Sequence, residues 1–168
     1  MLAEVRKIGT MKSLFTAGYE GLDIESFIQN LLANRIQTVV DVRELPLSRK
    51  KGFSKNSFKE HLALAGINYS HASELGCPKP IRNQYKLDSD WSAYSRRFFA
   101  YLKTQTDALA LLTKLANKQT VCLVCFEANY QECHRTYVAR AAHDLGAPRV
   151  MHLQAKTALL DPLSRLVA

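Results

Sequence analysis

The sequence predicts an α/β fold, a three-layer sandwich with a mostly parallel central sheet. Three observations predict it. Short β-branched apolar runs recur along the chain, and stretches of helical spacing separate them. The two strongest runs, "TVVDVR" at residues 38–43 and "TVCLVCF" at residues 120–126, are apolar at consecutive positions, as strands covered on both faces are.

The elements follow in order. An apolar run at residues 13–17 closes at Gly18 and Gly21, and Asp23 then caps a helix with Ile24, Phe27, Ile28, Leu31 and Leu32 at helical spacing. With the strand at 38–43 this makes a βαβ unit. A basic loop over residues 44–53 leads to "SKNSFKEHLALAG", a helix with Ser54 at its N-cap and Gly66 as its stop, and "INYSHA" reads as a third strand. Residues 74–88, with Pro78 and Pro80 flanking Lys79, show neither period and read as a loop. Helical spacing appears twice in residues 90–118, with Asp107 as the cap between the two helices. The strand at 120–126, a loop, a helix over residues 133–145 stopped by Gly146 and Pro148, and the strand "RVMHL" complete the pattern, and the tail after Gln154 is left unassigned. Residues 1–12 read as an N-terminal extension that need not be ordered, Met11 being a second candidate start, and residues 13–168 as a single α/β domain.

The chain has 168 residues, 47% hydrophobic and 23% charged, enough to bury a core without disulfides or metal, with no repeat or low-complexity run. Its net charge of +8 points to an anionic partner or to a solvated basic surface. The excess is clustered, since Arg43, Arg49, Lys50, Lys51, Lys55 and Lys59 form a stripe interrupted only by Glu44. No secretory h-region opens the chain and no run approaches the roughly twenty apolar residues of a membrane span. Cys77, Cys122, Cys125 and Cys133 are too few for a disulfide scaffold. Together these features predict a cytoplasmic protein with no membrane association.

In parallel sheets ligands sit beyond the carboxyl ends of the strands, where helix N-termini point their free amides. That rule gathers "GYEG", "DVRELPLSRKKGF" and "CFEANYQECHR" at one edge, and with them Tyr19, Glu20, Asp41, Arg43, Ser48, Arg49, Cys125, Glu127, Cys133, His134 and Arg135. Metal is set aside here and no cofactor is assigned. Cys125 and Cys133 are eight positions apart, and adjacent Cys133 and His134 rarely reach one ion. Cys122 and Cys125 spell C-x-x-C, but inside a strand the odd spacing puts them on opposite faces, and both read as core packing rather than a redox pair. Cys133, at a helix start beside His134 and Arg135, has the surroundings of a nucleophilic thiolate, weakened by Glu132, or else it merely caps the helix.

An anion reading uses the same residues: Arg43, Ser48, Arg49 and Arg135 bind a phosphate, and Glu127, Glu20, Cys133 and His134 are the catalytic candidates. Tyr19, Asp41 and Cys125 support the pocket. Against it stands an internal network of Asp41, Arg43 and Glu127 at the sheet edge. The common dinucleotide, P-loop, hydrolase and zincin motifs are absent. Trp91, Tyr94, Phe98, Phe99 and Tyr101 either stack bases or, at helical spacing, pack the core.

"TAGYEG", "DVRELPLSRKKGFSK", "INYSHASELGCPKPIR" and "CFEANYQECHR", four ordered motifs, together resemble the domain-of-unknown-function 488 family. The resemblance runs over residues 16–152, with Ala17 where members commonly carry isoleucine. It implies a compact three-layer α/β domain without an established reaction, and it carries the family's polar signature onto these same strand-end residues. A strand ending in "DVR" and another ending at a cysteine also resemble rhodanese-like sulfurtransferases and low-molecular-weight tyrosine phosphatases, although the tight phosphate loop of about five residues is missing. The leading expectation is a pocket for a phosphate-bearing small molecule such as a nucleotide, or for nucleic acid. The alternatives are a cysteine-dependent transferase or redox enzyme using Cys133, and a non-catalytic nucleic-acid-binding module.

Overall fold

The computed structural model describes residues 12–155 and 157–163. The N-terminal extension expected over residues 1–12 lies, except for Lys12, outside the described residues, as does the end of the tail. Among the described residues, strands β1 (Ser13–Gly18), β2 (Thr38–Asp41), β3 (Asn68–His71), β4 (Val121–Cys125), β5 (Arg149–Leu153) and β6 (Ala158–Leu160) form one sheet. Its order is β3-β2-β4-β1-β5-β6. Every neighbouring pair is parallel except β5 with β6. The expected α/β sandwich is what forms.

Helices α1 (Ile24–Ala33) and α2 (Lys55–Leu64) cover one face, and α3 (Lys79–Asp88), α4 (Trp91–Leu102), α5 (Thr106–Lys118) and α6 (His134–Asp144) lie on the other. The alternation of side chains along β4 divides its residues between the two cores. Cys122 and Val124 pack with Phe27, Leu31 and Phe58 of α1 and α2, while Leu123 and Cys125 pack with Phe98, Leu112 and Val138 on the other side. The expectation that Cys122 and Cys125 face opposite ways therefore holds.

Local chemistry sets the element ends. Asp23 accepts the Ser26 N–H at 2.7 Å to cap α1, and Asp90 accepts the Ala93 N–H at 2.9 Å to cap α4. Ser54 stands at the N-cap of α2 without a side-chain bond, and Gly66, at φ +74°, ends that helix. Asp107, expected as a cap, lies in the first turn of α5, where Gln105 is the N-cap residue.

The stretch at residues 74–88, expected to be a loop, is a 3-10 turn (Ser73–Leu75) followed by α3. The prolines misdirect the reading, because Pro80 sits in the first turn of α3, where no intrahelical N–H is needed. Few apolar residues mark this helix in the sequence. Ile81 and Tyr85 alone pack its inner side, half-buried, against the core. The tail supplies β6, held to β5 in antiparallel register. No helix among the described residues is long and apolar enough to cross a membrane.

A buried polar chain ties the β1–β5 seam. The Thr16 hydroxyl lies 2.7 Å from His152 Nδ1, and His152 Nε2 donates to Asp161 at 2.7 Å; Asp161 also holds Arg140 at 2.9 Å. Tyr130 stacks on the His152 ring with centroids 4.0 Å apart. Burial disfavours the imidazolium and holds the His152 pKa below its ordinary 6.5, although Asp161 pulls the other way. Arg140 and His152 hold the Asp161 carboxyl below its usual range against the effect of burial.

A histidine whose folded pKa is depressed contributes its stability above the unfolded value and loses it as pH falls below 6.5. The difference in urea-unfolding free energy between the wild type and His152→Gln should therefore shrink as pH is lowered through that value. A difference that grows on acidification would contradict the neutral, hydrogen-bonded ring.

Candidate functional site

The carboxyl ends of β1, β2 and β4 open into a cavity of about 560 Å³. Its floor is made by the segment that leaves β4, turns through a 3-10 segment (Tyr130–Glu132) and enters α6. Gly18 lets this segment lie against the end of β1, since a Cβ there would meet the Glu127 carbonyl oxygen at 1.7 Å. The Tyr19 and Glu20 N–H groups donate to the Cys125 and Phe126 carbonyls at 3.3 and 2.8 Å, and the Glu20 carboxylate accepts the Ala128 N–H at 2.9 Å. Glu20 thus holds the loop from outside and does not line the cavity.

Arg135 holds the loop from inside. Its side chain is fully buried, and its guanidinium donates to Thr16 Oγ1 at 3.2 Å and to the carbonyls of Glu127 and Ala128. Arg43 is equally committed. It pairs both carboxylate oxygens of Asp41 at 2.8 and 2.7 Å and donates to the Tyr19 hydroxyl at 2.9 Å and the Phe53 carbonyl at 2.7 Å. Tyr69 adds a further donor to Asp41, and Tyr19 stacks on Phe53 with centroids 4.2 Å apart. Burial opposes the Arg43 charge, but Asp41 outweighs it and raises the pKa further. The internal network anticipated for Asp41 and Arg43 is present, with Tyr19 and Tyr69 in it; Glu127 takes no part.

Glu127 is instead the centre of a second group. Its Oε2 accepts the Cys125 thiol at 2.9 Å and the Cys133 thiol at 3.2 Å, and Cys125 Sγ lies 3.8 Å from His134 Nδ1. The four side-chain donor atoms all lie within 4.8 Å of one another. His134 Nε2 donates to the Val42 carbonyl at 2.7 Å, which fixes the tautomer and leaves Nδ1 facing the group. The spacing that argued against such a meeting is answered by backbone geometry. Cys133 is extended, at φ −143° and ψ 135°, and His134 opens α6, so the change of conformation between them turns adjacent side chains toward one point.

The electrostatics follow from crowding acidic groups in a buried place. Burial would raise the Cys133 thiol, yet Cys125, Arg135 and His134 together hold it well below the ordinary range. Its bond to Cys133 and its burial push Cys125 well up, and burial beside Cys133 raises Glu127. Burial lowers the His134 ring and the Cys133 thiolate more than offsets it, so the imidazole pKa rises. Of the two thiols, Cys133 ionises first. Three acidic groups in mutual contact cannot all carry charge without a cation among them.

Above this floor the cavity wall includes Trp91 and Tyr94, whose rings stack with centroids 4.5 Å apart, together with Tyr85 and Phe126. Ser48, Arg49, Arg82 and Lys86 also line it. Arg82 is bound to Glu44 and to the Cys77 carbonyl, whereas Arg49 and Lys86 are exposed. Tyr94 and Phe98 are core residues, Phe99 is 42% exposed, and Tyr101 donates to the Glu74 carbonyl. The aromatic stretch therefore serves both the core and the cavity. Arg82, Tyr85 and Lys86 went unrecognised because residues 74–88 read as a loop. Their spacing at three and four residues was the available signal.

The sequence matches the model of the family described as Domain of unknown function DUF488 over residues 23–142, more than half of the chain. No curated protein and no solved structure matches it.

Replacing Arg135 by methionine keeps most of the packing volume and removes the guanidinium donors to the Glu127 and Ala128 carbonyls. Urea unfolding should show a loss of about 3 kcal/mol, the size expected when buried charge-assisted bonds lose their donor. A loss within about 0.5 kcal/mol, the range of an ordinary surface change, would contradict the pinning role.

Proposed function

The chain belongs to the DUF488 family, and we propose that it is an enzyme whose strand-end cavity takes a phosphate-bearing ligand with an aromatic ring, a nucleotide or the end of a nucleic acid, and sets it against Cys125, Glu127, Cys133 and His134. One observation carries this reading. A single cavity has on its floor four reactive side chains whose donor atoms lie within 4.8 Å of one another, aromatic rings on its wall and two exposed cations, Arg49 and Lys86, along its lining. Its volume lies in the range of about 300–1,000 Å³ typical of small-molecule sites.

The anion-binding role differs from the one expected from sequence. Arg43 and Arg135 are committed to carboxylate, hydroxyl and carbonyl partners, so the phosphate falls to Arg49 and Lys86, with the Ser48 hydroxyl beside them. The ring then has the half-buried Trp91, backed by Tyr94, to lie against, a form of contact that tolerates any base because each has a π-face. Arg49 also opens the basic stripe that continues through the exposed Lys51 and Lys55, a path along which a nucleic-acid strand extends beyond the cavity.

Trp91 is the chain's one tryptophan, so its fluorescence reports on this cavity directly. Titration with mononucleotides, short RNA and short DNA should quench it saturably. Calorimetry should then show Arg49→Ala weakening nucleotide binding while leaving a nucleoside unaffected, and Trp91→Ala weakening both by about 1–3 kcal/mol, the usual worth of a base stack. Unchanged fluorescence with every ligand would contradict the proposal.

A further inference from the structure

We propose that Cys125, Cys133 and His134 hold a divalent metal ion of the zinc class, with Glu127 closing its fourth position. The inference goes beyond the ligand reading and stands on the floor group alone. Zinc binds thiolate sulfur at about 2.3 Å and imidazole nitrogen at about 2.0 Å, which places the donors of a tetrahedral site roughly 3.3–3.8 Å apart. The contacts here are 2.9, 3.2 and 3.8 Å, with every donor atom within 4.8 Å of the rest. Two of the contacts open by a few tenths of an ångström, and the widest donor pair closes by about 1 Å, to reach that geometry.

Three further features agree. His134 donates its other ring nitrogen to the Val42 carbonyl, the outer-shell bond that orients a metal-binding imidazole. The donor set, two sulfurs, one nitrogen and one carboxylate oxygen, favours zinc over magnesium or calcium, which take oxygen ligands. The charge also closes. Two thiolates and a carboxylate carry three negative charges, which a divalent ion and the adjoining buried Arg135 guanidinium balance. Without the ion, two thiols and a carboxyl share one small buried space with only each other and a histidine as partners.

The ligands are not equivalent. Cys125, Cys133 and His134 are at most 6% exposed, whereas Glu127 is partly exposed. Glu127 is thus the exchangeable ligand. With the carboxylate swung aside the ion would have an open position, and a bound metal of this class would supply Lewis-acid activation of water, with Glu127 placed to take the proton.

The test is metal analysis of the purified full chain, followed by removal of bound metal and titration with Co²⁺. We expect one zinc per chain, and with Co²⁺ a thiolate-to-cobalt charge-transfer band together with the strong visible bands of tetrahedral cobalt. Cys125→Ser and Cys133→Ser should lose stoichiometric binding, while Glu127→Gln should retain the ion with a changed visible spectrum. Wild-type protein, folded by circular dichroism, that binds neither ion stoichiometrically would overturn the proposal. So would a cobalt spectrum without thiolate charge transfer. Glu127→Gln losing the ion as completely as Cys133→Ser would overturn its exchangeable role. None of these readouts involves nucleotide, so their failure is distinct from failure of the ligand reading.

Discussion

One buried guanidinium organises the strand-end edge of this molecule. Arg135 leaves the first turn of α6, passes beneath the segment that follows β4, and bonds Thr16 on the central strand and the carbonyls of Glu127 and Ala128. A charge in such a place is tolerated only because its donors meet acceptors. Those acceptors define the path of the loop. Gly18 makes the path sterically open, Glu20 fastens its outer side, and the loop then has one route from strand to helix. That route delivers Cys125, Glu127, Cys133 and His134 to a common point.

The edge therefore separates two kinds of charged group. Asp41 with Arg43, and Arg135 with its carbonyls, are satisfied internally and act as framework. The thiols and the carboxylate of the floor group bond one another, His134 reaches outward to the Val42 carbonyl, and the group faces a cavity. Arg49 and Lys86 face solvent and add a positive field where a ligand would enter. A rigid framework beneath the floor group is what the proposed chemistry requires, since displacements of an ångström at a catalytic site are felt in rate.

Much of this was legible in the sequence. The apolar runs marked the central strands and a mostly parallel sheet, because strands covered on both faces lack polar alternation. Asp23 and Gly66 marked helix ends for local backbone reasons. The strand-end rule anticipated which segments gather at one edge, and the resemblance to the DUF488 family is borne out by the match over residues 23–142. The roles within those segments were less accessible. Nothing in a one-dimensional pattern separates an arginine that faces a ligand from one that faces a carboxylate two residues away, as Arg43 does. Nor does spacing along the chain measure distance across a strand-to-helix return, which is why Cys125 and Cys133 seemed too far apart. Helix α3 stayed hidden because its buried side is only Ile81 and Tyr85.

The central claim is that the ligand cavity and the floor group make one site. A crystal structure of the protein soaked with a mononucleotide tests it most directly. The account predicts a ring against Trp91, a phosphate near Arg49 and Lys86, and a reacting part of the ligand in contact with the Cys125–Glu127–Cys133–His134 group. A nucleotide bound elsewhere on the surface, with this cavity empty, would contradict it.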